Sequence, residues 1–207
     1  MKTRLIAPLV LMLVPLLVLS ACVSVLPEPQ IPSALISLPS DRAQAPADPL
    51  QADVAVYPPD ATRAFSGADI AVRSDQELVY LGDVRWVDAA PRLLQSAVVD
   101  ALALAGGEGR AVTAQLAARV DYEVRWRIVD LSASRETGPV RAEVEVSLLD
   151  SPTRRVVAQG SFSATENPAD SAPRARAAAV ALAAQSVADQ VAAFVAKSAV
   201  AKPPAVN

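Results

Sequence analysis

Three stretches in the second half of the chain alternate apolar and polar residues with a period of two, and that period constrains the fold more than any other feature. In the first, Tyr122, Val124, Trp126 and Ile128 fall on one side, with Asp121, Glu123, Arg125 and Arg127 on the other. In the second, Val140, Ala142, Val144, Val146 and Leu148 alternate with Arg141, Glu143, Glu145 and Ser147. The third, Arg155 to Ala164, carries Val156, Ala158 and Phe162 on one side. Successive side chains on a strand point to opposite faces, so each run reads as a strand with one packed and one wet face. Gly138-Pro139 and Ser151-Pro152-Thr153 separate the runs as turns. The pattern predicts an antiparallel meander whose wet-face Arg and Glu residues pair across strands.

The packed face needs a cover, and two segments of helical period supply it. Leu94, Ala97, Val98, Ala101 and Leu102 recur at helical spacing between Asp88, an expected N-cap, and Gly106-Gly107, an expected stop. Pro91 fits the first turn of that helix, Asp88 to Ala105. The second helix runs from about Ser171, its expected cap, to Lys197, with a stripe of Val180, Ala184, Val187, Val191 and Phe194. Its many alanines favour helix and allow close approach to a sheet. Shorter strands precede these elements: Asp53 to Tyr57, Asp69 to Arg73, and Glu77 to Leu81. Ser74-Asp75 forms a hairpin turn, and Gly82-Asp83 turns the chain after the third. The expected fold is α+β: a single domain, residues 51–198, with a mostly antiparallel sheet and two helices packed on one face.

The N-terminus reads differently. Met1-Lys2-Thr3-Arg4 carries two positive charges, Leu5 to Leu19 is apolar apart from Pro8 and Pro15, and the small residues Ser20 and Ala21 follow. A charged start, an apolar middle and a small-residue end make a secretory signal, residues 1–21. The uncharged stretch from Leu5 to Leu26 is also long enough to span a bilayer. Pro15 and the register of Cys22, the chain's only cysteine, with the small residues favour the signal. Leu19-Ser20-Ala21-Cys22 resembles the lipobox of bacterial lipoproteins, which implies diacylglycerol and an N-acyl chain on Cys22 and no other cofactor. Val23, in place of Asp, favours the outer over the inner membrane within that resemblance. Six prolines from Pro27 to Pro49 then suggest a semi-rigid tether, residues 22–50, interrupted by a short strand at Ala34 to Leu38. Residues 199–207 are expected to be a disordered tail.

The composition argues against most chemistry. Losing Lys2 and Arg4 with the signal takes the net charge from −3 to −5, which offers no footprint for nucleic acid. The chain has no histidine, so transition-metal centres and histidine-assisted nucleophiles are disfavoured. The mature lysines, Lys197 and Lys202, lie at or past the end of the last helix, poorly placed for a Ser–Lys pair. Gly106, Gly107 and Gly109 follow a helix rather than a strand, and no Gly-Lys-Ser/Thr follows, so they read as a helix stop and loop. Trp126 reads as core. Arg85-Trp86, between a strand and a helix cap, has two readings: Trp86 packs beneath the helix, or the pair presents an anchor to a partner.

Taken in order, these features resemble the ABC-type transport auxiliary lipoprotein family, the PqiC/YmbA-like lipoproteins. The resemblance runs from Cys22 to about Val195. It rests on the lipobox, Ala34 to Leu38, Val54-Ala55-Val56-Tyr57-Pro58-Pro59, Asp69-Ile70-Ala71-Val72-Arg73, and Leu78-Val79-Tyr80 leading into Arg85-Trp86-Val87-Asp88 and its helix. The strand around Tyr122 to Asp130, two further strands and an Ala-rich helix complete it. Where the family often has Tyr-Tyr in the first strand, this chain has Leu35-Ile36. The resemblance implies a non-enzymatic, periplasm-facing accessory subunit. Its expected partners are an MCE-domain protein and the other subunits of an ABC lipid transporter, with the membrane engaged through the anchor and homo-oligomerisation left open. The competing expectation is a structural or activator lipoprotein for outer-membrane or cell-wall assembly.

Overall fold

The computed structural model describes residues 31–116, 119–135 and 138–201. The lipobox Leu19, Ser20, Ala21 and Cys22, the signal peptide and residues 202–207 lie outside the described residues. The described chain forms strands β1 (Ala34–Ile36), β2 (Val54–Val56), β3 (Asp69–Ser74) and β4 (Glu77–Trp86), then helix α1 (Ala90–Ala103). Strands β5 (Ala111–Thr113), β6 (Tyr122–Ser134), β7 (Val140–Asp150) and β8 (Val156–Glu166) follow, and helix α2 (Pro173–Ser198) closes the order.

All eight strands join one sheet, in which β6 is paired along both edges. One edge runs antiparallel to β7 over its whole length, and β7 pairs in turn with β8. This is the meander that the alternating pattern predicts. The other edge of β6 is shared. Its start lies parallel to β2, with Val54 opposite Tyr122, and its end lies parallel to β3, with Ala71 opposite Ser132. The class is α+β as expected, but the sheet is mixed: β1–β4, β2–β5, β2–β6 and β3–β6 are parallel. Those pairings join segments far apart in sequence, and local periodicity carries no information about strand direction.

A bulge at Val129 extends β6 beyond the predicted Ile128. The pairing steps from Ile128–Val144 to Asp130–Glu143, after which Leu131 and Ala133 become the buried residues. One extra residue exchanges the two faces of a strand, which is why the even-numbered apolar pattern stops at Ile128. A larger irregularity replaces the turn expected at Gly82-Asp83. There β4 runs on to Trp86, and five residue steps of β4, from Tyr80 to Arg85, oppose two of β3, from Asp69 to Ala71. Asp83 absorbs the distortion at φ 68°, a region that Asp tolerates better than most side chains.

The helices lie side by side over the packed face. Val144, Val146 and Leu148 of β7 and Val124 and Ile128 of β6 are buried with Val180, Val187 and Val191 of α2 and Leu94, Val98 and Leu102 of α1. Each such side chain contributes roughly 1.5–3 kcal/mol relative to exposure. Helix α2 is long and apolar enough to cross a membrane. Its buried residues occur all round it and pack against α1 and the sheet, so it is a core helix. Gln95 of α1, itself buried, donates to the Val56 carbonyl oxygen at 2.7 Å and ties the helix to β2.

Both helix caps differ from expectation. Ala89 and Ala172 occupy the N-cap positions, without side-chain capping bonds. Asp88 instead accepts from the Ala89 N–H at 2.6 Å and pairs with Arg92. Asp170, rather than Ser171, accepts from the Ala172 N–H.

The expected tether is shorter than residues 22–50. Ser33 donates twice to the Asp83 carbonyl oxygen, β1 pairs with β4, Ser40–Arg42 form a 3-10 turn, and Leu50 is fully buried. Prolines exclude a helix here but permit extended chain and tight turns, and both are what form. Leu50 is held by the glycines after α1: Gly106 O accepts from its N–H, and its own carbonyl accepts from the Gly109 N–H. A Cβ on Gly107 would sit 2.2 Å from the Leu50 carbonyl oxygen, and one on Gly109 would sit 2.3 Å from that of Ala52. The glycines are therefore a helix stop and a backbone-to-backbone seam.

Gly106 and Gly107 both have positive φ, 67° and 96°, but only Gly107 is also crowded. Gly106→Ala is expected to cost ~1–2 kcal/mol, the left-handed penalty alone. Gly107→Ala must also displace Leu50 and is expected to cost roughly 3 kcal/mol or more. Urea denaturation of the two variants checks the order.

Candidate functional site

The outer face of the meander is the most elaborated polar surface of the described chain. Its centre is Glu123 on β6. Alternation sends this side chain to the solvent side, yet only 9% of it is exposed. Arg125, two residues along the same strand, reaches back to Glu123 Oε2 through Nε and Nη2 at 3.2 and 3.0 Å. Arg154 closes over the same oxygen at 2.6 Å, and Ser151 donates to Oε1 at 3.3 Å. Arg154 comes within reach because the β7–β8 turn places it in the left-handed region, at φ 59°. The Arg125 guanidinium in turn lies 3.3 Å above the Tyr57 ring, a cation–π stack against the residue after β2.

Burial by itself raises the pKa of Glu123, but hydrogen bonds and charge from Arg154 and Arg125 outweigh it, and the net shift is downward. The carboxylate is therefore ionised at neutral pH. Such a cluster holds and orients; it does not transfer protons. The same chemistry extends across the face as Arg127–Glu145 at 2.8 Å, Arg141–Glu143 at 2.8 Å and Arg73–Asp130 at 3.2 Å. The expected pairing of wet-face Arg and Glu is present, partly across strands and partly along one strand.

Two open depressions flank the cluster. One, of ≈ 550 Å³, is lined by Asp60, Arg125, Arg127, Glu145 and Gln159. The other, of ≈ 510 Å³, is lined by Asp53, Tyr57, Arg119, Asp121 and Ser151. Arg125 lines the first, and its partners Tyr57 and Glu123 line the second. Sequence reasoning took the charges as a solvated face and missed this convergence. The available signal was a glutamate flanked in sequence by positions that alternate with Arg, beside a turn rich in Arg.

The two residues singled out as a partner contact separate in space. Trp86 is 2% exposed, opposite Ile36 of β1, so it is core rather than an anchor. Arg85, on the opposite face of the strand, is half exposed and paired with Asp69 at 3.0 Å. Trp126 is also core, its indole N–H donating to the Tyr57 carbonyl oxygen at 2.6 Å.

The fold and this surface define a single-domain α+β module whose outer face carries paired arginines and carboxylates. The sequence matches the model of the ABC-type transport auxiliary lipoprotein component over residues 35–192, and the chain belongs to that family. As a lipoprotein component of a transport system it is a protein of the cell envelope with partner subunits. Among curated protein sequences nothing matches the chain.

Solved structures share the fold. Protein XCC0632 from Xanthomonas campestris superposes with a TM-score of 0.67 at 21% identity, over 80% of this chain and 94% of that one. An uncharacterized protein gives 0.59 at 11% identity, over 78% and 97%. The hypothetical protein CT253 from Chlamydia trachomatis gives 0.51 at 11% identity, over 72% and 98%.

Two outcomes are expected. Trp86→Ala should cost ~3–5 kcal/mol in denaturant unfolding, as a core truncation does, whereas Arg85→Ala should cost under about 1 kcal/mol. Glu123 has a lowered pKa in the folded state, so its stabilisation is present above the unfolded glutamate value, about 4.3, and is lost as pH falls through the folded value. Glu123→Gln should therefore be less stable than wild type at pH 7, with the gap closing below about pH 4. Thermal melts across pH measure it.

Proposed function

We propose that this protein is a lipid-anchored accessory subunit of an MCE-associated ABC transporter that moves lipid between membranes. It faces the periplasm from the outer membrane, which Val23 favours, and it docks or bridges rather than catalyses. The observation that carries this proposal is the family match, which spans the whole folded domain from β1 to the last turns of α2. The outer face supports it, since its arginines and carboxylates are locked in pairs that suit a partner surface. Acyl chains on Cys22 would anchor the domain without a spanning helix, each buried methylene contributing about 0.8 kcal/mol.

The folded start at Ser33 adds a limit. Ten residues, 23–32, lie between Cys22 and Ser33, the first pinned residue among those described. At ~3.3–3.6 Å per residue, that linker reaches at most about 40 Å. A partner rooted in the opposite membrane must therefore extend most of the way towards this subunit.

The full-length protein, tagged and extracted from its host's envelope, is expected to bring down an MCE-domain protein, and its Cys22→Ala variant to leave the membrane fraction. Recovery without any MCE partner, together with unchanged outer-membrane lipid on deletion, would overturn the proposal.

A further inference from the structure

The two edges of β4 are used differently. One is paired with β3 from Glu77 to Tyr80 and again at Arg85. The other is taken by β1 only over Val84–Trp86, with the Ser33 N–H donating just before it to the Asp83 carbonyl oxygen. Among the described residues, no strand and no backbone hydrogen bond covers that second edge from Glu77 to Gly82. A Cβ built on Gly82 would meet nothing within 4 Å, so the space beside the chain is open there. Pro27, Pro29 and Pro32 have no N–H to donate, so the sequence upstream of β1 is poorly suited to continue its ladder along this edge.

The side chains on the open stretch break the rule that the rest of the sheet obeys. On β6 and β7 apolar and polar residues alternate, but Leu78, Val79 and Tyr80 follow one another and are all exposed, at 37%, 38% and 49%. Exposed edges are ordinarily blunted by lysine or proline, and neither occurs between Glu77 and Trp86. Carboxylates bracket the apolar trio instead: Asp75 and Glu77 on the side of the hairpin turn and Asp83 on the side of β1, all exposed. None of the three forms an ion pair among the described residues, and the arginines nearest in sequence, Arg73 and Arg85, are already paired with Asp130 and Asp69. On the outer face of the meander, by contrast, Glu123, Glu143 and Glu145 are each matched by arginine.

These three observations together select a class of partner. An open backbone edge is completed by another extended chain, whose main-chain groups pair with it. The exposed trio favours apolar side chains on that chain. The uncompensated carboxylates favour positive charge on either side of them, and they repel the anionic headgroups of a bilayer. We propose that β4 is augmented along Glu77–Tyr80 by an extended segment of a partner protein, apolar at its centre and flanked on both sides by Lys or Arg. That the partner is an MCE-domain protein rests on the function proposed above; the docking edge and its chemistry do not.

The test is photocrosslinking of the full-length protein in its host's envelope through Tyr80→benzoylphenylalanine, with peptide mass spectrometry of the adduct. The expected adduct is a segment of another protein whose apolar residues have Lys or Arg on both sides. Glu77→Lys is expected to lower its yield by about tenfold, and the same crosslinker at Leu104, exposed beyond the end of α1, to give none of it. An adduct with lipid, with a second copy of this chain or with a segment lacking basic flanks would overturn the proposal, as would no adduct or a yield indifferent to Glu77→Lys. The expected segment in a protein without an MCE domain would support this edge while removing the MCE partner from the proposed function. Should Tyr80→benzoylphenylalanine fail to fold, Val79→benzoylphenylalanine carries the test with the same outcomes.

Discussion

The structure depends on β6 being long enough to pair with two different strands along one edge. Val54–Val56 docks in parallel on its first turn of pleat and Ala71–Arg73 on its last, with Asp60 bridging to Arg127 between them. The opposite edge is given entirely to β7. A strand of average length could hold the meander or the N-terminal strands, not both. The bulge at Val129 makes the double pairing workable, because it resets the inward face so that Leu131 and Ala133 still meet the core beside β3.

The sheet so assembled is covered by a helix in which alanine is the commonest residue. Ala177, Ala184, Ala188 and Ala192 are completely buried or nearly so. Side chains this small give little apolar area each, and the compensation is proximity: backbone and sheet approach closely, and dispersion contacts accumulate over seven turns. The larger groups are used where the gap widens. Phe194 meets Phe162 of β8 with ring centroids 5.3 Å apart, and Arg176 reaches the Ser134 carbonyl oxygen at the end of β6. Gln185 is the exception, a long polar residue buried in mid-helix and bonded to Asp189 one turn further on.

Sequence reasoning recovered what is local. The meander, both helices and the glycine stop follow from periods of two and 3.6 and from backbone freedom, and apart from the extension of β6 past the bulge each formed within a few residues of its expected bounds. What depended on distant partners was not legible. The three residues of β5 have no pattern of their own and exist because β2 offers an edge. The prolines between Pro27 and Pro49 were read as a spacer, although Leu50 carried a hint: a large apolar side chain directly before a folded domain rarely faces water. At the candidate site, alternation placed Glu123 and Arg125 correctly on the outer face. It could not foresee that a left-handed Arg154 would return from the next turn to bury the carboxylate.

The pinned entry at Ser33 also has a mechanical side. A molecule held by one end transmits any pull on it through that end, and here the load would fall on a three-residue strand running parallel to β4, with Arg174 of α2 gripping the Ser33 carbonyl. Beyond it, the seam of Leu50 and Ala52 against Gly107 and Gly109 is the next clasp. Were the chain held through Cys22 as proposed, a pull would therefore reach β1 and the Leu50 seam before it reached the meander.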